Sequence, residues 1–592
     1  MLHCAIGARG ARVWGAVMSN SNLRGVTIGV LSAALGDRYA TAVLTGISEA
    51  ARARGAGVVT FAGGQLEPED RRRKTPNVVY DLASTDQLDG LIVLAGSLVN
   101  EVGLERLTAF VSQFSPLPCV SVAVTLPGAA SVLVDADHGI RAALEHLMEM
   151  HGRHRIAFIR GPDGNDEAAR RFRVYEEVFA DFRVKVDPQL VAPGAFTAAS
   201  GAAAIETLLD KRKVRIDAVV AANDVMAIAA LEALRVRGVR VPRDVSVIGF
   251  DDVEEASWSS PTLTTVRQPL ERQGQVAVDM LLDRIAGRAP SARAMLPTQI
   301  VVRESCGCVL GRLRVSSSAR SREHGPESER EPRAALLVAI QGVVDPADVA
   351  GVSLLVEAFL DELFGKGGHF FDALSGALSG RSARAVEVPP LQAAIGVLRR
   401  TAVPMLDAAR AAKAEDLLVR AHLEVAALAE RVQARRRLSA QRIAHLLSRL
   451  GQAFLVADDE RGIAQALANL LPELPIERCQ LVVYERGELA EMPPTSALRL
   501  LEYTRSNVDL VPVKLRAREL VSPASILGEA AQSWVVQPLV HRGVHLGHLV
   551  LESAPRHGFL HEELRELVAH ALQSVRYRKG AGLWSGTAVT RP

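Results

Sequence analysis

Residues 241–269 read VPRDVSVIGFDDVEEASWSSPTLTTVRQP, a short apolar run that stops on two acids. The run 245–250 is brief, rich in β-branched residues and free of polar alternation, as a strand buried on both faces should be. Such strands belong to parallel sheets covered by helices, and the surrounding pattern agrees. Apolar strands alternate with amphipathic helices over residues 26–100 and again over 155–252. This predicts two sets of βαβ units, hence an α/β fold of two doubly wound lobes. Asp251 and Asp252 stand at the carboxyl end of their strand, where open parallel sheets bind ligands. Helix caps and turns use the same acids, so the stretch by itself leaves both readings open.

Four further segments carry a family likeness. They are VTIGVLSAALGDRYATAVLTGISEAARARG (26–55), VDADHGIRAALEHLMEMHGRHRIAFI (134–159), RIAFIRGPDGNDEAARRFRVYEEVF (155–179) and AVVAANDVMAIAALEALRVRGVRVP (218–242). With 241–269 they resemble, in the same order, the effector-binding domain of the LacI/GalR regulators, a fold shared with type I periplasmic sugar-binding proteins. The resemblance covers residues 25–308. It implies a two-lobed periplasmic-binding-protein-like domain whose lobes close on a small polar ligand, with chain crossings near 152–154, 260–268 and 287–292. It makes Arg171 the ligand-gripping arginine, whose planar fork suits adjacent hydroxyls or a carboxylate, and Asp251 and Asp137 acceptors for hydroxyls. Asn223, with Asp224, would cap a helix while facing the cleft, and Asp37 and Tyr39 would touch ligand from the amino-terminal lobe. The residues also allow a surface ion pair between Arg171 and Glu167 and an ordinary core place for Tyr39. Two positions depart from the family pattern: Val174, where relatives usually carry glycine, and His138, where many carry asparagine.

A chain of 592 residues, 48% of them hydrophobic, is too long for one core and should fill roughly three or four domains. Lys plus Arg number 69 against 67 for Asp plus Glu, a net of +2 that gives no overall pull toward nucleic acid or an acidic membrane surface. Five cysteines over this length make no disulfide framework. Cys306 and Cys308 form the one close pair, with no histidine or second cysteine pair at ligand spacing beside them. They are expected to be reduced structural thiols, with no metal or cofactor. No apolar run reaches the length of a membrane span, and the expected location is cytoplasmic. Residues 1–24 are taken as a disordered leader with translation starting at Met18, too short for the helix-turn-helix that LacI-type repressors use to read DNA.

Residues 309–333, dominated by SSSARSREHGPESEREPR, have the composition of a linker. Residues 334–455 are expected to form a helical signalling and dimerisation region. Helical patterning runs to residue 378, and Pro389 and Pro390 begin a helix that stops before Pro404. Leu418, Ala421, Val425, Leu428 and Val432 then form a seam that resumes at Ile443, Leu446, Leu450 and Phe454 after a basic break at Arg435, Arg436 and Arg437. A dimeric coiled coil and an amphipathic core helix both give this pattern, and the coiled-coil reading makes the protein a homodimer. Residues 456–578 combine a helix, the strand CQLVVYER, the hairpin WVVQPLVHRGVHLGHLVLES and a closing helix, an arrangement that resembles a GAF domain, with 579–592 as a tail. His541, His545 and His548 are expected to be solvated hairpin residues, since His545 and His548 point to opposite faces of a strand and acidic partners are lacking.

The chain carries no phosphate loop, zinc-hydrolase helix, nucleophile elbow, GGDEF-type loop or kinase ATP lid, and no enzymatic activity is expected. The leading expectation is an intracellular sensor of a sugar-like molecule whose lobe closure is read by a partner, a separate kinase, cyclase or transcription factor. The alternative is a LacI-type transcriptional regulator that meets DNA through a cryptic or partner-supplied module. The best basic helix, ARRRLSAQRIAHLLSRL, carries the apolar stripe of a packed helix rather than a reading face.

Overall fold

The computed structural model describes residues 25–36, 38–66, 75–83, 87–99, 102–288, 291–308, 330–341, 349–381, 388–485, 496–516, 532–552 and 558–585. The leader, Asp37, most of the expected linker and the end of the tail lie outside them. The chain divides into two compact units, Met1–Val309 with Leu446–Pro592, and Leu310–His445.

The amino-terminal lobe follows the predicted alternation: β1 (Thr27–Ser32), α1 (Arg38–Ala53), β2 (Gly57–Ala62), β3 (Gly90–Val93), α2 (Ala95–Leu98), α3 (Gly103–Ser112), β4 (Cys119–Val122) and β5 (Ala130–Asp135). The strands are parallel in the order β5-β4-β3-β1-β2. The second lobe contains α4 (Ala136–Glu145), β6 (Ile156–Ile159), α5 (Asp166–Asp181), β7 (Val191–Ala192), α6 (Ala198–Glu206), β8 (Ala218–Ala221), α7 (Asp224–Val236), β9 (Ser246–Asp251) and β10 (Thr264–Arg267). Its parallel order is β10-β9-β8-β6-β7. Every residue of β1, β6 and β8 is buried, because helices cover both faces of each sheet.

The chain then returns to the first lobe as α8 (Leu270–Ile285) and β11 (Arg293–Pro297), which lies parallel to β5, and ends the domain with β12 (Gln299–Val301), antiparallel to β10. The lobe crossings therefore fall at 135–136, 268–269 and 298. Two of the expected positions were displaced for a physical reason: α4 buries Ile140, Ala143 and Leu144 in the core of the second lobe, so the first crossing precedes it rather than following it. The third falls between β11 and β12 because β11 still pairs in the first sheet. Thr298 Oγ1 donates to the Asp135 carbonyl at 2.6 Å, tying the first crossing to the third.

In the helical unit, α9 (Arg330–Gln341), α10 (Val349–Leu363), α11 (Phe370–Arg381), α12 (Val388–Ala402) and α13 (Ala408–Leu455) surround a core containing Leu336, Phe359, Phe370 and Leu398. Leu418, Ala421 and Val425 of the predicted seam are buried in that same core, so this part of the seam packs on its own chain. The helix runs unbroken through Arg435, Arg436 and Arg437, since arginine is a good helix former and no glycine or proline stands beside them.

The last region contains α14 (Glu460–Leu470), β13 (Arg478–Tyr484), β14 (Ser496–Thr504), β15 (Asn507–Asp509), β16 (Val513–Arg516), β17 (Ser533–His541), β18 (Val544–Glu552) and α15 (Gly558–Ser585). The predicted hairpin is present, and its turn residues Arg542 and Gly543 have φ of +47° and +82°, the left-handed pair that suits twisted strands. His548 is buried rather than solvated. Its Nδ1 lies 3.2 Å from the Tyr484 hydroxyl, and burial pushes its pKa down to about 3. Strand β17 also lies parallel to β2, in register Ser533↔Val58 to Val536↔Phe61, so the described strands of this region continue the first lobe's sheet. Among the described residues no helix is long and apolar enough to cross a membrane.

Candidate ligand cleft

The order of the second sheet reverses between β6 and β8, and the loops leaving the carboxyl ends of strands at such a point form a natural crevice. Arg171 comes from α5, the helix after β6, and is only 3% exposed. Its Nη1 donates to the Ala222 carbonyl at the end of β8 at 2.7 Å, and its guanidinium lies 3.9 Å from the centre of the Phe250 ring. A desolvated cation on an aromatic face is held by about 2 kcal/mol. The expected ion pair with Glu167 is also present, at 3.3 Å, but it is a partner of a buried group rather than a surface pair. Arg171 Nε is buried and meets no partner among the described residues.

Asn223 is the N-cap of α7, accepting from Met226 N at 3.0 Å, while its amide donates to the Phe196 carbonyl at 3.2 Å. Asp224 is fully buried, accepting from Thr265 Oγ1 at 2.6 Å and from Val253 N at 2.9 Å. Burial first, and the charge of Asp251 second, raise its carboxyl well above 3.8. Asp251 and Asp252 have φ of +123° and +59°. Consecutive non-glycine residues in that half of the map are strained, and such strain gathers at ligand sites and switches. Asp252 is gripped by Arg267 and Arg303, each at 2.6 Å, a structural clamp beside the second crossing. Asp251 instead accepts from Gln268 Nε2 at 2.6 Å, and Gln268 accepts from Gln273 of α8 at 3.4 Å. A polar chain thus runs from the carboxyl edge of the second sheet, through a crossing, to a helix of the first lobe.

The structure therefore brings Arg171, Asn223 and Asp251 to one edge. Asp137 is placed elsewhere: its carboxylate is forked by Arg170 at 2.7 and 2.8 Å, in a groove between α4 and α5 shared with Asp166, Arg173 and Glu177. One helical step along α5 separates the arginine bound to the Ala222 carbonyl from the one bound to Asp137. Tyr39 is partly buried against the first lobe's core, its hydroxyl beside Gly96. Asp37 lies outside the described residues. His138 is exposed, and Val174 fills the second lobe's core at 3% exposure. Gln268, Phe250 and Phe196 had no motif to mark them; they matter because the fold places them around Arg171 and Asp251.

Residues 144–306 match the model of the periplasmic binding protein-like domain family. The chain is 42% identical over 175 residues to the HTH-type transcriptional regulator CelR of Thermobifida fusca, covering 29% of this chain and 51% of that protein, so it spans about half the length of that relative. It is similar to a solved CelR–cellobiose complex, with 32% identity over 47% of this chain and 84% of that one, at a TM-score of 0.41. To the HTH-type transcriptional repressor PurR of Haemophilus influenzae it is 32% identical over 253 residues, 42% of this chain and 71% of the repressor. With a repressor matched along that much of its length, the two-lobed domain built here places the chain in the LacI/GalR family.

Proposed function

We propose that the chain is a LacI-type transcriptional regulator whose two lobes close on a small, polar, sugar-like or nucleoside-like ligand. The observation that carries the reading is Arg171: a buried guanidinium at the strand-order reversal, fixed by a carbonyl and an aromatic face, with a donor still unmatched. Asn223 and Asp251 complete the ligand edge from the second lobe. The Asp251–Gln268–Gln273 chain gives ligand a route to bias the lobe angle, since a ligand shifts an equilibrium only by its differential contacts with the two states.

A second output is favoured by a specific contact. Glu562 of α15 accepts from the backbone N–H groups of Leu35 and Gly36, at 3.0 and 2.9 Å, in the loop that leaves β1 toward the ligand edge. Closure would therefore be felt by the carboxyl-terminal region and passed to a partner protein.

The test is a thermal-shift panel of sugars, nucleosides and sugar acids on the full chain, repeated with Arg171→Lys, which keeps the charge but loses the fork. A ligand that stabilises the wild type by mass action and not the variant supports the cleft. The active ligand is then added to a salt titration of promoter-fragment binding. A ligand-dependent change in sequence-selective affinity supports the regulator, and salt-sensitive, unselective binding alone favours output through a partner protein.

A further inference from the structure

Cys306 and Cys308, which sequence spacing left without histidine partners, meet two histidines in the fold. His146 opens the helical turn that continues α4 and His151 follows its end, and their Nε2 atoms lie 3.3 Å apart. Cys306 Sγ is 3.4 Å from His146 Nε2. Cys308 Sγ is 3.5 Å from His146 Nε2 and 3.4 Å from His151 Nε2, across 157 positions of sequence. All four ligand atoms lie within 4.8 Å of one another.

A hydrogen-bonded cluster explains this badly. An imidazole nitrogen has one hydrogen or one lone pair to give, yet His146 Nε2 has three such neighbours. Four atoms converging on one point is instead the arrangement of a ligand shell. A tetrahedral zinc ion, with Zn–N of about 2.0–2.1 Å and Zn–S of about 2.3 Å, requires N–N edges near 3.3 Å and N–S edges near 3.5 Å. The His146–His151 separation and the three sulfur–nitrogen separations given above match these edges, and the other two pairs lie within 4.8 Å.

The local backbone is shaped for the same end. Gly307 has φ of +111°, which turns the two cysteine side chains to one side, and a Cβ there would stand 3.1 Å from His151 Nδ1. Cys308 N–H points to Cys306 Sγ at 3.4 Å, a donor suited to a thiolate. The supports are fixed as well: the Cys306 carbonyl accepts from Ser246 Oγ at 2.8 Å, and Ser305 Oγ donates to the Val247 carbonyl at 2.6 Å. Ser246 begins β9 and Asp251 ends it, so the cluster occupies the edge of the second sheet opposite the ligand edge.

We propose that His146, His151, Cys306 and Cys308 form a closed Cys2His2 zinc site that fastens the end of the two-lobed domain to the segment following α4. Four protein ligands leave no open position, so the ion is structural. It holds the chain where it leaves the domain for the helical unit, and it does not depend on the identity of the cleft ligand.

The test uses the full chain, purified without chelator. Elemental analysis should find one zinc per chain. The chelated protein titrated with cobalt(II) alone should develop tetrahedral d–d bands and a thiolate-to-cobalt charge-transfer band that saturate at one equivalent and vanish on adding zinc(II). Cys308→Ser should lose the charge-transfer intensity in large part, and His151→Ala should weaken zinc binding at least about tenfold, in the range lost when metal sites are disturbed. Cys479→Ser, a buried thiol elsewhere, should change neither. A wild-type protein with no tetrahedral cobalt spectrum, a Cys306–Cys308 disulfide by thiol counting, or a spectrum unchanged in Cys308→Ser each overturns the proposal. Because the wild-type spectrum is decisive alone, a variant that fails to fold does not rescue it.

Discussion

Arg171 and Asp224 are both buried polar groups at the carboxyl edge of the second sheet, and they make different predictions. Arg171→Ala should abolish ligand-induced stabilisation. It should also lower the unliganded stability by about 1.5–3 kcal/mol, because the bond to the Ala222 carbonyl is charge-assisted. Chemical denaturation with and without ligand separates the two effects. Asp224 has a folded pKa raised above 3.8, so the folded state keeps a proton that the unfolded chain releases. Its contribution to stability is complete below the unfolded value and is lost as pH rises through the raised folded value. Asp224→Asn mimics the protonated acid, donating to Thr265 and accepting from Val253, and should remove this loss. Urea midpoints measured between about pH 4 and 8 should fall less steeply in the variant than in the wild type.

At the scale of elements, close helix contacts decide which substitutions are tolerated. Helices α1 and α8 approach through Gly46 and Gly274: a Cβ on Gly46 would strike the Glu271 carbonyl, and one on Gly274 the Val43 carbonyl. These obstacles are backbone, which cannot swing aside as a side chain does. Gly274→Ala should therefore cost about 1–3 kcal/mol by overpacking, read as a lowered denaturation midpoint with an unchanged slope. In α13, Val425 is fully buried in the helical unit's own core. Val425→Glu should unfold that unit, with loss of helical circular dichroism, rather than release folded monomers from a coiled coil, because an unpaired carboxylate would enter an apolar core.

Over the whole molecule, the junction between β2 and β17 has the largest consequence. Trp534 is 1% exposed and packs with Val536 and Val550 in the same core cluster as Leu31, Phe61 and Tyr80 of the first lobe, while Val535 joins the cluster on the other face of the sheet. Strand β17 thus covers an edge that would otherwise present unpaired backbone groups and apolar side chains. A fragment of residues 25–308 should aggregate or melt lower than the same residues in the full chain, and co-expression with residues 446–585 should restore its solubility. Trp534→Ala should cost about 3–5 kcal/mol and destabilise the sensing lobe although the residue lies far from it in sequence. A fragment as soluble and stable as the whole chain would show that the junction contributes nothing.

Local sequence was enough to specify the two doubly wound lobes, since an apolar run without alternation and an amphipathic helix each record which of their faces are covered. It was enough, too, to put Asn223 and Asp251 at one edge of the second sheet, because residues at or just beyond the end of a parallel strand share its edge, whereas Arg171, inside α5, was marked only by the family resemblance. Periodicity records that a face is apolar but not what covers it, so the same spacing left Val425 free to be a dimer seam or a core residue. Only the tertiary structure chose the core. Nor does local sequence say which of two neighbouring arginines turns inward, and folding gave Arg170 to Asp137 and Arg171 to the Ala222 carbonyl. The pairing of β2 with β17 and the meeting of His146 and His151 with Cys306 and Cys308 join segments from distant parts of the chain. Such contacts are set by how whole sheets and helices stack, a property that no window of neighbouring residues contains.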